Sequence, residues 1–391
     1  MITTERESSI AARVAEKFKS IFEETPLIIR SPGRVNLIGE HTDYNNGFVL
    51  PAAINKAIYM AVSSRKDQKV HIHSVDLDRS FTGDVTRLEP SSLEWPDYIL
   101  GVVDELQKNG HAIPGGFNCV FGGDIPLGAG LSSSAALECA TAYSLNELFG
   151  LGLDPLTMVR LSQKAENEFV GVKCGIMDQF ASMFGKKNHV IRLDCQSLDY
   201  EYVPFNMEGI RIVLFDTQVK HSLASSEYNT RRQQCEEGVR LVQAGHPGVK
   251  SLRDVTEGML EQYVAPTNAL VYQRCQYVVQ ENARLLAAIG DLREGNIAAF
   301  GRKMFATHHG LSKQYEVSCA ELDFLVEQVK DRPAVLGSRM MGGGFGGCTI
   351  NLVKEDAIEA LVAETTLAYK KAMQKDLKAY IAQIENGTSL L

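Results

Sequence analysis

Apolar side chains recur at helical spacing near the start of the chain, at Ile10, Val14, Phe18 and Ile21. This pattern predicts an amphipathic helix over residues 5–23, which ends before Pro26 and packs against a sheet. Three runs rich in β-branched and aromatic residues follow, separated by Gly and Asn turns: PLIIRS, FVLPAAINKAIYMAVSSR and KVHIHSVD. The first hundred residues are therefore predicted to be strands after one helix.

The middle of the chain combines a strand-like run with helices. The run FNCVFGGDIP leads into the glycine loop LGAGL, and the helix after that loop places four residues roughly on one face: Leu137, Ala140, Tyr143 and Leu148. Asp154 and Pro155 are typical of the first positions of a helix, and we expect that helix to cover residues 155–169 before Gly171 interrupts it.

The second half of the chain is richer in helical patterns. The strand-like runs NHVIRLDC and IRIVLFDT precede helical patterns over residues 222–330, and SRMMGGGFGGCTINLV and a helix over about residues 355–373 follow. Strands and helices without strict βαβ alternation predict an α+β fold. We expect two domains, residues 1–200 and 201–391, because a chain of 391 residues with 45% hydrophobic content exceeds one compact core.

The charge and the cysteines limit the classes of function. A formal net charge of -8 argues against nucleic acid or an acidic membrane as the main partner, since both bind basic faces. The N-terminal MITTERESSI has no signal-peptide pattern and no apolar run is long enough to span a bilayer, so we expect a cytoplasmic protein. The 8 cysteines lack any C-x-x-C pair, which is typical of reduced thiols.

The loop PLGAGLSSSAA, residues 126–136, is the strongest signal for chemistry. Glycines let a backbone approach an anion, and the start of the following helix offers unpaired N–H groups, so the loop predicts a phosphate site. It lacks the G-x-x-x-x-G-K-[ST] pattern of the common P-loop, and no G-x-G-x-x-G follows a strand. The alternative is a tight turn in which Ser132 only caps the helix.

Two carboxylates behind that loop, those of Glu166 and Asp178, fit phosphoryl transfer. In such enzymes one carboxylate typically holds Mg²⁺ and another accepts the proton of the attacking hydroxyl. With 48 acidic residues in the chain, a solvated surface position is the default for either one. Asp178 differs because its neighbours Ile176, Met177 and Phe180 are apolar.

A second glycine-rich loop, SRMMGGGFGGCTI at residues 338–350, places five glycines in six residues around one Phe. Such density predicts a loop that turns tightly or lets a ligand or another backbone come close. A hairpin packed against a neighbouring element is as good an interpretation as direct contact with a ligand.

The segment SPGRVNLIGEHTDYNNG, residues 31–47, sets several polar side chains beside glycines. With the two loops above, in this order, it resembles the three signatures of the GHMP kinases, the family of galactokinase, homoserine kinase, mevalonate kinase and phosphomevalonate kinase. GRVNLIGEHTDYNNG resembles the form found in the galactokinase family almost letter for letter, and three further phrases of that family occur: CGIMDQF, HSLASSEY and YEVSCAELD. The resemblance covers about residues 26–352.

The resemblance implies catalytic and sugar-binding roles. In galactokinases the acid of GIMDQ is the catalytic base toward the anomeric hydroxyl, here Asp178. The arginine of PGRVN, here Arg34, lies beside that acid and the transferring phosphoryl group, where its charge offsets the negative charge of the transition state. The residues that match sugar contacts are Glu40, His41, Asp43 and Tyr228. The pattern around Tyr228 alone would indicate an ordinary helix-surface aromatic.

The resemblance also implies sites for ATP and Mg²⁺. The residues that match the nucleotide-phosphate loop are Gly128, Ala129, Gly130, Leu131, Ser132, Ser133 and Ser134. Ser134 and Glu166 match the magnesium ligands. By the same analogy, the N-terminal domain is of the ribosomal-protein S5 domain 2 type and the C-terminal domain is ferredoxin-like, with the active site between them.

The activity implied by the resemblance is transfer of the γ-phosphoryl group of ATP to the C1 hydroxyl of α-D-galactose, giving galactose 1-phosphate and ADP. We expect a monomer with galactose and ATP as its partners, and with no nucleic acid or membrane. Two alternatives stay open: a kinase for N-acetylgalactosamine or a related sugar, and a galactose sensor without activity. A sensor would have no need of Glu166, Asp178 and the unbroken loop over residues 132–136.

One residue departs from the family pattern. Galactokinases commonly have Thr directly before the glycines of the third signature, where this chain has Met341. Loss of a hydroxyl there is expected to change the hydrogen bonding of the loop. We expect the consequence to be a change in rate or affinity before a change in reaction.

Overall fold

The computed structural model describes residues 2–126, 128–205, 208–219 and 224–391. Its α-helices are α1 (Ile2–Phe22), α2 (Asp97–Lys108), α3 (Ser133–Phe149), α4 (Pro155–Ala165), α5 (Met177–Phe184), α6 (Ala224–Gln243), α7 (Glu257–Met259), α8 (Ala269–Arg293), α9 (Ile297–His309), α10 (Ala320–Val329) and α11 (Ile358–Met373). Its strands are β1 (Leu27–Asn36), β2 (Phe48–Val49), β3 (Pro51–Ser64), β4 (Lys69–Ser74), β5 (Arg79–Asp84), β6 (Phe117–Gly123), β7 (His189–Asp194), β8 (Tyr200–Pro204), β9 (Ile210–Asp216), β10 (Val335–Met340), β11 (Cys348–Lys354), β12 (Lys378–Ala382) and β13 (Ser389–Leu390).

A six-stranded sheet with the order β13-β1-β3-β6-β4-β5 dominates the N-terminal half. Its neighbouring strands are antiparallel, apart from the parallel pair of β4 and β6. The residues of β3 that face α1 are Ala57, Tyr59 and Ala61, and those that face the larger core are Ile58, Met60 and Val62. Because both faces are covered, β3 is apolar along most of its length.

Helix α1 packs on this sheet as predicted. Val14 and Phe18 are fully buried against β3 and β6. Ile21 was predicted on the same face but is 42% exposed. Phe22, four residues after Phe18, packs against the sheet instead, since residues four apart lie on one face of a helix.

The ends of other helices differ from the prediction. Asp154 caps α4 as expected, because its side chain accepts the N–H groups of Leu156 and Thr157, both at 3.0 Å. The helix predicted over residues 155–169 is α-helical only to residue 165 and continues as the π-helical turn Glu166–Val170. Helix α2 already begins within the first hundred residues, and α11 begins at residue 358, after a 3₁₀ turn.

The second half of the chain builds a four-stranded antiparallel sheet with the order β10-β11-β9-β12. Val213 and Phe215 of β9 pack against Leu325 of α10 and Leu361 of α11. A smaller sheet of β2, β7 and β8 adjoins the first sheet, where β7 contacts β3. The arrangement confirms the predicted α+β class.

The domain division into residues 1–200 and 201–391 stays a prediction. The predicted boundary falls inside β8, which begins at residue 200 and pairs with β7, and β13 pairs with β1, which is far from it in sequence. In the described part of the chain, no helix has the length and apolar character that crossing a membrane requires.

The segment around β13 ties β1 to α5. The hydroxyl of Thr388, directly before β13, hydrogen-bonds to the hydroxyl of Ser31 at 2.9 Å and donates to the carbonyl of Ser182 at 3.0 Å. Ser182 of α5 in turn donates its hydroxyl to the carbonyl of Pro32 at 2.7 Å. These bonds join a strand, a helix and the last residues of the chain.

We expect Thr388→Val to lower the free energy of unfolding by about 1–2 kcal/mol, because it removes partly buried hydrogen bonds from a side chain of nearly the same shape. Urea denaturation of the purified protein measures this difference. Thr388→Ser keeps the hydroxyl, so its free energy of unfolding should fall clearly less than that of Thr388→Val. A Thr388→Val variant as stable as the wild type, beside a destabilised Thr388→Ser, would show that the methyl group, and not the hydroxyl, stabilises this corner.

Candidate active site

A cavity of about 490 Å³ opens beside the end of β1 and the start of α5. The side chains predicted for reaction and sugar binding all line it: Arg34, Glu40, His41, Asp43, Asp178 and Tyr228. Glu166 lines it as well, together with residues 171–175 and the glycines at 342–344. The fold therefore brings together residues from both halves of the chain.

Arg34 and Asp178 form a bidentate ion pair at this cavity. Arg34 Nε donates to Asp178 Oδ1 at 2.7 Å, and Nη2 donates to Oδ2 at 2.9 Å. The side chain of Arg34 is 5% exposed and that of Asp178 is 26% exposed, so the carboxylate keeps access to the cavity. Burial alone would lower the pKa of Arg34, but the charge and hydrogen bonds of Asp178 raise it, and the guanidinium stays charged.

The first glycine loop packs against β1 beside this pair. Arg34 Nη1 donates to the carbonyl of Gly130 at 2.6 Å, and the Arg34 main-chain N–H donates to the carbonyl of Leu131 at 3.2 Å. A Cβ on Gly33 would lie 2.6 Å from that Leu131 carbonyl, so glycine is needed for strand and loop to approach so closely. Leu127, within the predicted loop, lies outside the described residues.

Ser132 does not cap the following helix through its side chain. It occupies the position before α3 with a φ of 58°, but its hydroxyl makes no capping hydrogen bond. The hydroxyl donates to Asp178 Oδ2 at 2.5 Å instead. The capping alternative is therefore wrong, and the loop directly touches the residue predicted to be the base. Ser133 and Ser134 follow in the first turn of α3.

Glu166 opens the π-helical turn, and only 6% of the residue is exposed. Gln179 Nε2 donates to Glu166 Oε2 at 2.6 Å, and the Cys174 thiol donates to the same oxygen at 3.3 Å. Ser134, the other predicted magnesium ligand, lies within hydrogen-bonding reach of Glu166. Burial and then the charge of Asp178 raise the pKa of Glu166.

His41 is a neutral imidazole in this cavity. Its Nδ1 lies 2.7 Å from the hydroxyl of Tyr44, which lies 2.8 Å from the hydroxyl of Tyr315. The buried Nε2 makes no well-formed hydrogen bond within the described part of the chain, although the carbonyl of Gly343 is close enough to raise the pKa. Burial outweighs that carbonyl and the charge of Glu40, and lowers the pKa of His41 to about 4.

Asp43 is half-buried in the 3₁₀ turn Asp43–Asn45. Gly175 makes room for it, since a Cβ at that position would collide with the Asp43 carboxylate. Burial and then the charge of Asp178 raise the pKa of Asp43 to about 7, while Arg34 acts in the opposite direction. The surroundings of Asp43 thus disfavour the charged form of its carboxyl group.

Tyr228 lies on α6 with its ring against the predicted sugar site. Its ring centroid is 5.4 Å from that of His41 and 5.3 Å from that of Tyr44. The interpretation of Tyr228 as an ordinary helix-surface aromatic is therefore wrong. Residues 220–223, which include the start of the phrase HSLASSEY, lie outside the described residues.

The second glycine loop joins the antiparallel strands β10 and β11 and also lines the cavity. The two interpretations of this loop, a hairpin and a ligand contact, are therefore compatible. Met341 is 1% exposed, packs in the main core and donates its main-chain N–H to the carbonyl of Cys348 at 3.0 Å. The effect of this residue on rate or affinity stays a prediction.

Several residues that build the site were not singled out from the sequence: Tyr44, Cys174, Gln179, Tyr315 and Arg339. They hold the predicted residues in place, as Tyr44 does for His41 and Gln179 for Glu166. All five lie inside the motif phrases quoted above. Membership of a phrase was therefore the available signal, but it did not separate these residues from their neighbours.

Comparisons with known proteins agree with this geometry. The galactokinase galactose-binding signature matches residues 16–64, and the N-terminal and C-terminal domains of GHMP kinases match residues 97–186 and 288–371. The galactokinase of Thermotoga neapolitana is 43% identical over 359 residues, which cover 92% of this chain and 98% of that protein. The chain belongs to the galactokinase family.

A comparison with solved structures shows the galactokinase family fold over nearly the whole chain. Lactococcus lactis galactokinase complexed with galactose superposes with a TM-score of 0.93 at 35% identity, covering 97% of this chain and 99% of that one. Mevalonate kinase from Methanococcus jannaschii, at 16% identity and a TM-score of 0.67, covers 93% of this chain and 99% of its own, and shows the fold alone. The predicted two-domain GHMP kinase fold is confirmed. As a member of the galactokinase family, the chain is an ATP-dependent sugar kinase.

The neutral His41 predicts an effect of pH on stability. Its pKa of about 4 in the folded chain lies below the usual histidine value of 6.5, so the unfolded chain binds more protons between these two pH values. The free energy of unfolding should therefore fall, relative to that of His41→Gln, by up to about 3 kcal/mol as the pH is lowered from 6.5 to 4.

Urea denaturation of the wild type and His41→Gln at several pH values measures this difference. Taking the difference between the two proteins largely removes the contribution of Asp43, whose raised pKa acts in the opposite direction. A difference that stays constant between pH 6.5 and pH 4 would contradict the neutral ring.

Proposed function

We propose that this chain transfers the γ-phosphoryl group of ATP to the C1 hydroxyl of α-D-galactose, giving galactose 1-phosphate and ADP. The observation that supports this most is the position of the Arg34 and Asp178 pair. The first glycine loop touches it through Gly130 and Ser132, and Asp43 lies close enough to raise the pKa of Arg34 and to have its own pKa raised by Asp178. A phosphate group on the loop and a sugar beside Asp43 would meet at this pair.

In the proposed reaction Asp178 accepts the proton of the C1 hydroxyl while the hydroxyl oxygen bonds to the γ-phosphorus. The bond from the γ-phosphorus to the bridging oxygen breaks, and ADP leaves with the electron pair. Arg34 offsets the negative charge that develops on the transferring group. Three hydrogen bonds, from Arg34 Nε, Arg34 Nη2 and the Ser132 hydroxyl, already orient the Asp178 carboxylate before a sugar binds.

Four other side chains that line the cavity are proposed to bind the sugar hydroxyls: Glu40, His41, Asp43 and Tyr228. The carboxylates supply acceptors, the neutral imidazole supplies one ring nitrogen, and the tyrosine supplies a ring face and a hydroxyl. A hexose presents hydroxyls in several directions, so a set of short-range polar groups from different elements suits it. The galactose in the Lactococcus lactis crystal structure and the curated galactokinase relatives support galactose as the sugar.

Mg²⁺ is proposed to accompany ATP, and Ser134 and Glu166 fit such an ion. Mg²⁺ prefers oxygen ligands and usually takes one or two protein carboxylates besides phosphate oxygens and water. Ser134 offers a hydroxyl beside the Glu166 carboxylate, and no group of three His, Cys, Asp or Glu that could hold a metal occurs among the residues described. When bound, the ion would neutralise charge on the phosphates. A monomer in the cytoplasm remains part of this proposal.

A panel of acceptors tests the function. The wild type is incubated with ATP and Mg²⁺ and with galactose, N-acetylgalactosamine, glucose, mevalonate or homoserine, and ADP release is measured. We expect the highest kcat/KM for galactose, with the product phosphate located at C1 by NMR. A higher kcat/KM for N-acetylgalactosamine would favour the related kinase. Binding of galactose and ATP without ADP release would favour a sensor.

We expect Asp178→Asn to lower kcat by about 10²–10⁴-fold, because the amide cannot accept the hydroxyl proton. The affinity for galactose, measured by calorimetry, should change by only a few fold, since the side chain keeps its size and can still bond to Arg34. Asp199→Asn is the matched control, because Asp199 is exposed and does not line the cavity. Near-normal turnover of Asp178→Asn would exclude Asp178 as the base.

A further inference from the structure

Arg339, the second-last residue of β10 and three positions before Gly342, has a side chain that is 0% exposed. Its Nε donates to the carbonyl of Leu37 at 2.9 Å, Nη1 donates to the carbonyl of Met340 at 2.6 Å, and Nη2 donates to the carbonyl of Asn36. Nη1 and Nη2 also donate to Glu40 Oε1, at 3.2 and 3.3 Å. These bonds match the five N–H donors of a guanidinium.

The Glu40 carboxylate is held from several sides by this arrangement. Its Oε1 accepts from Arg339 and from the main-chain N–H of Gly342 at 2.5 Å, and its Oε2 accepts from Asn36 Nδ2 at 2.5 Å. Each carboxylate oxygen has about two acceptor positions. Within the described part of the chain, Oε1 is therefore saturated, and the remaining capacity to accept a hydrogen bond lies on Oε2. Glu40 lines the cavity although its side chain is only 2% exposed, and Oε2 is therefore the oxygen at which we expect a sugar hydroxyl to bind.

Arg339 joins parts of the chain that are far apart in sequence. Asn36 ends the strand β1 and Leu37 directly follows it, whereas Arg339 lies in β10 and Gly342 lies in the second glycine loop. The guanidinium thus fixes both the main chain beside Glu40 and the carboxylate itself. A lysine has one ammonium group in place of the planar fork and cannot serve the same set of acceptors in one orientation.

We propose that Arg339 is a positioning residue for sugar recognition, which holds Glu40 so that Oε2 accepts one hydroxyl of the sugar. This inference rests on the proposed function, because it concerns the sugar that the cavity binds. Arg339 itself does not line the cavity, so it acts through Glu40. The glycine loop shares this constraint, because the N–H of Gly342 bonds to the same carboxylate oxygen.

The test compares kcat/KM for galactose and for its 2-, 3-, 4- and 6-deoxy derivatives. The penalty at a position is the ratio of kcat/KM for galactose to kcat/KM for the derivative that lacks that hydroxyl. In the wild type, we expect a penalty of about tenfold or more at the hydroxyl bound by Glu40, as for a hydrogen bond to a charged group. In Glu40→Gln this penalty should largely disappear, and the derivative for which it disappears identifies the hydroxyl that Glu40 binds. In Arg339→Lys the penalty at that position should shrink to less than about threefold, while penalties at other positions and the KM for ATP change little.

Arg30→Lys is the matched control. Arg30 is also a buried arginine that donates to main-chain carbonyls, those of Ile54 and Asn386, but it does not line the cavity. Its replacement should reduce stability without changing the penalty at any sugar position. This separates a loss of packing from a loss of sugar recognition.

Three results would overturn the inference. In the first, Arg339→Lys changes the penalties at all positions equally or not at all. In the second, Glu40→Gln relieves no penalty of the wild type. In the third, neither Arg339→Lys nor Arg339→Gln folds by circular dichroism, which would assign Arg339 to stability alone. Failure of the proposed function is seen separately, as a wild type that does not phosphorylate galactose.

Discussion

The ion pair between Arg34 and Asp178 is the contact on which the arrangement of the site depends. Arg34 belongs to β1 in the first sheet, and Asp178 belongs to the first turn of α5. The same guanidinium holds the carbonyl of Gly130, and the same carboxylate takes the hydroxyl of Ser132. Because both groups are planar and meet through two parallel hydrogen bonds, the pair sets the relative orientation of strand, loop and helix as well as their distance.

This pair lies within a concentration of negative charge. Glu40 and Asp43 act on Arg34, and Asp178 raises the pKa of both Asp43 and Glu166. Carboxylates that lie close together and out of water disfavour each other's charged form. A cation bound together with ATP would offset this repulsion between the carboxylates. The electrostatics of the chain's own residues thus agree with the chemistry proposed for Ser134 and Glu166.

Local sequence patterns predicted which helices and strands form better than they predicted which side chains are buried and what those side chains contact. The amphipathic pattern of α1 was sufficient for the helix, but it could not decide between Ile21 and Phe22, because a small rotation of the helix exchanges the two neighbours at the edge of its apolar face. The π-helical turn at Glu166 and the hydroxyl contact of Ser132 depend on packing against α5, which no local pattern contains.

The candidate site was predictable to the extent that its residues lie in contiguous motifs. Arg34, Glu40, His41 and Asp43 share one short segment, so a resemblance in that segment identifies them together. Arg339 shows why the rest was not predictable. A buried arginine and a surface arginine look alike in a sequence, and the partners that bury this one, such as Glu40, are about three hundred residues away.

The pairing of β13 with β1 constrains when the first sheet can be completed during synthesis. One edge of β1 pairs with β3, which follows it closely, but the other edge pairs with β13, which is synthesised only after every strand of the C-terminal sheet. An open strand edge can pair with another nascent chain. The N-terminal half therefore carries a short unpaired edge, at Ile29 and Arg30, until β13 is synthesised.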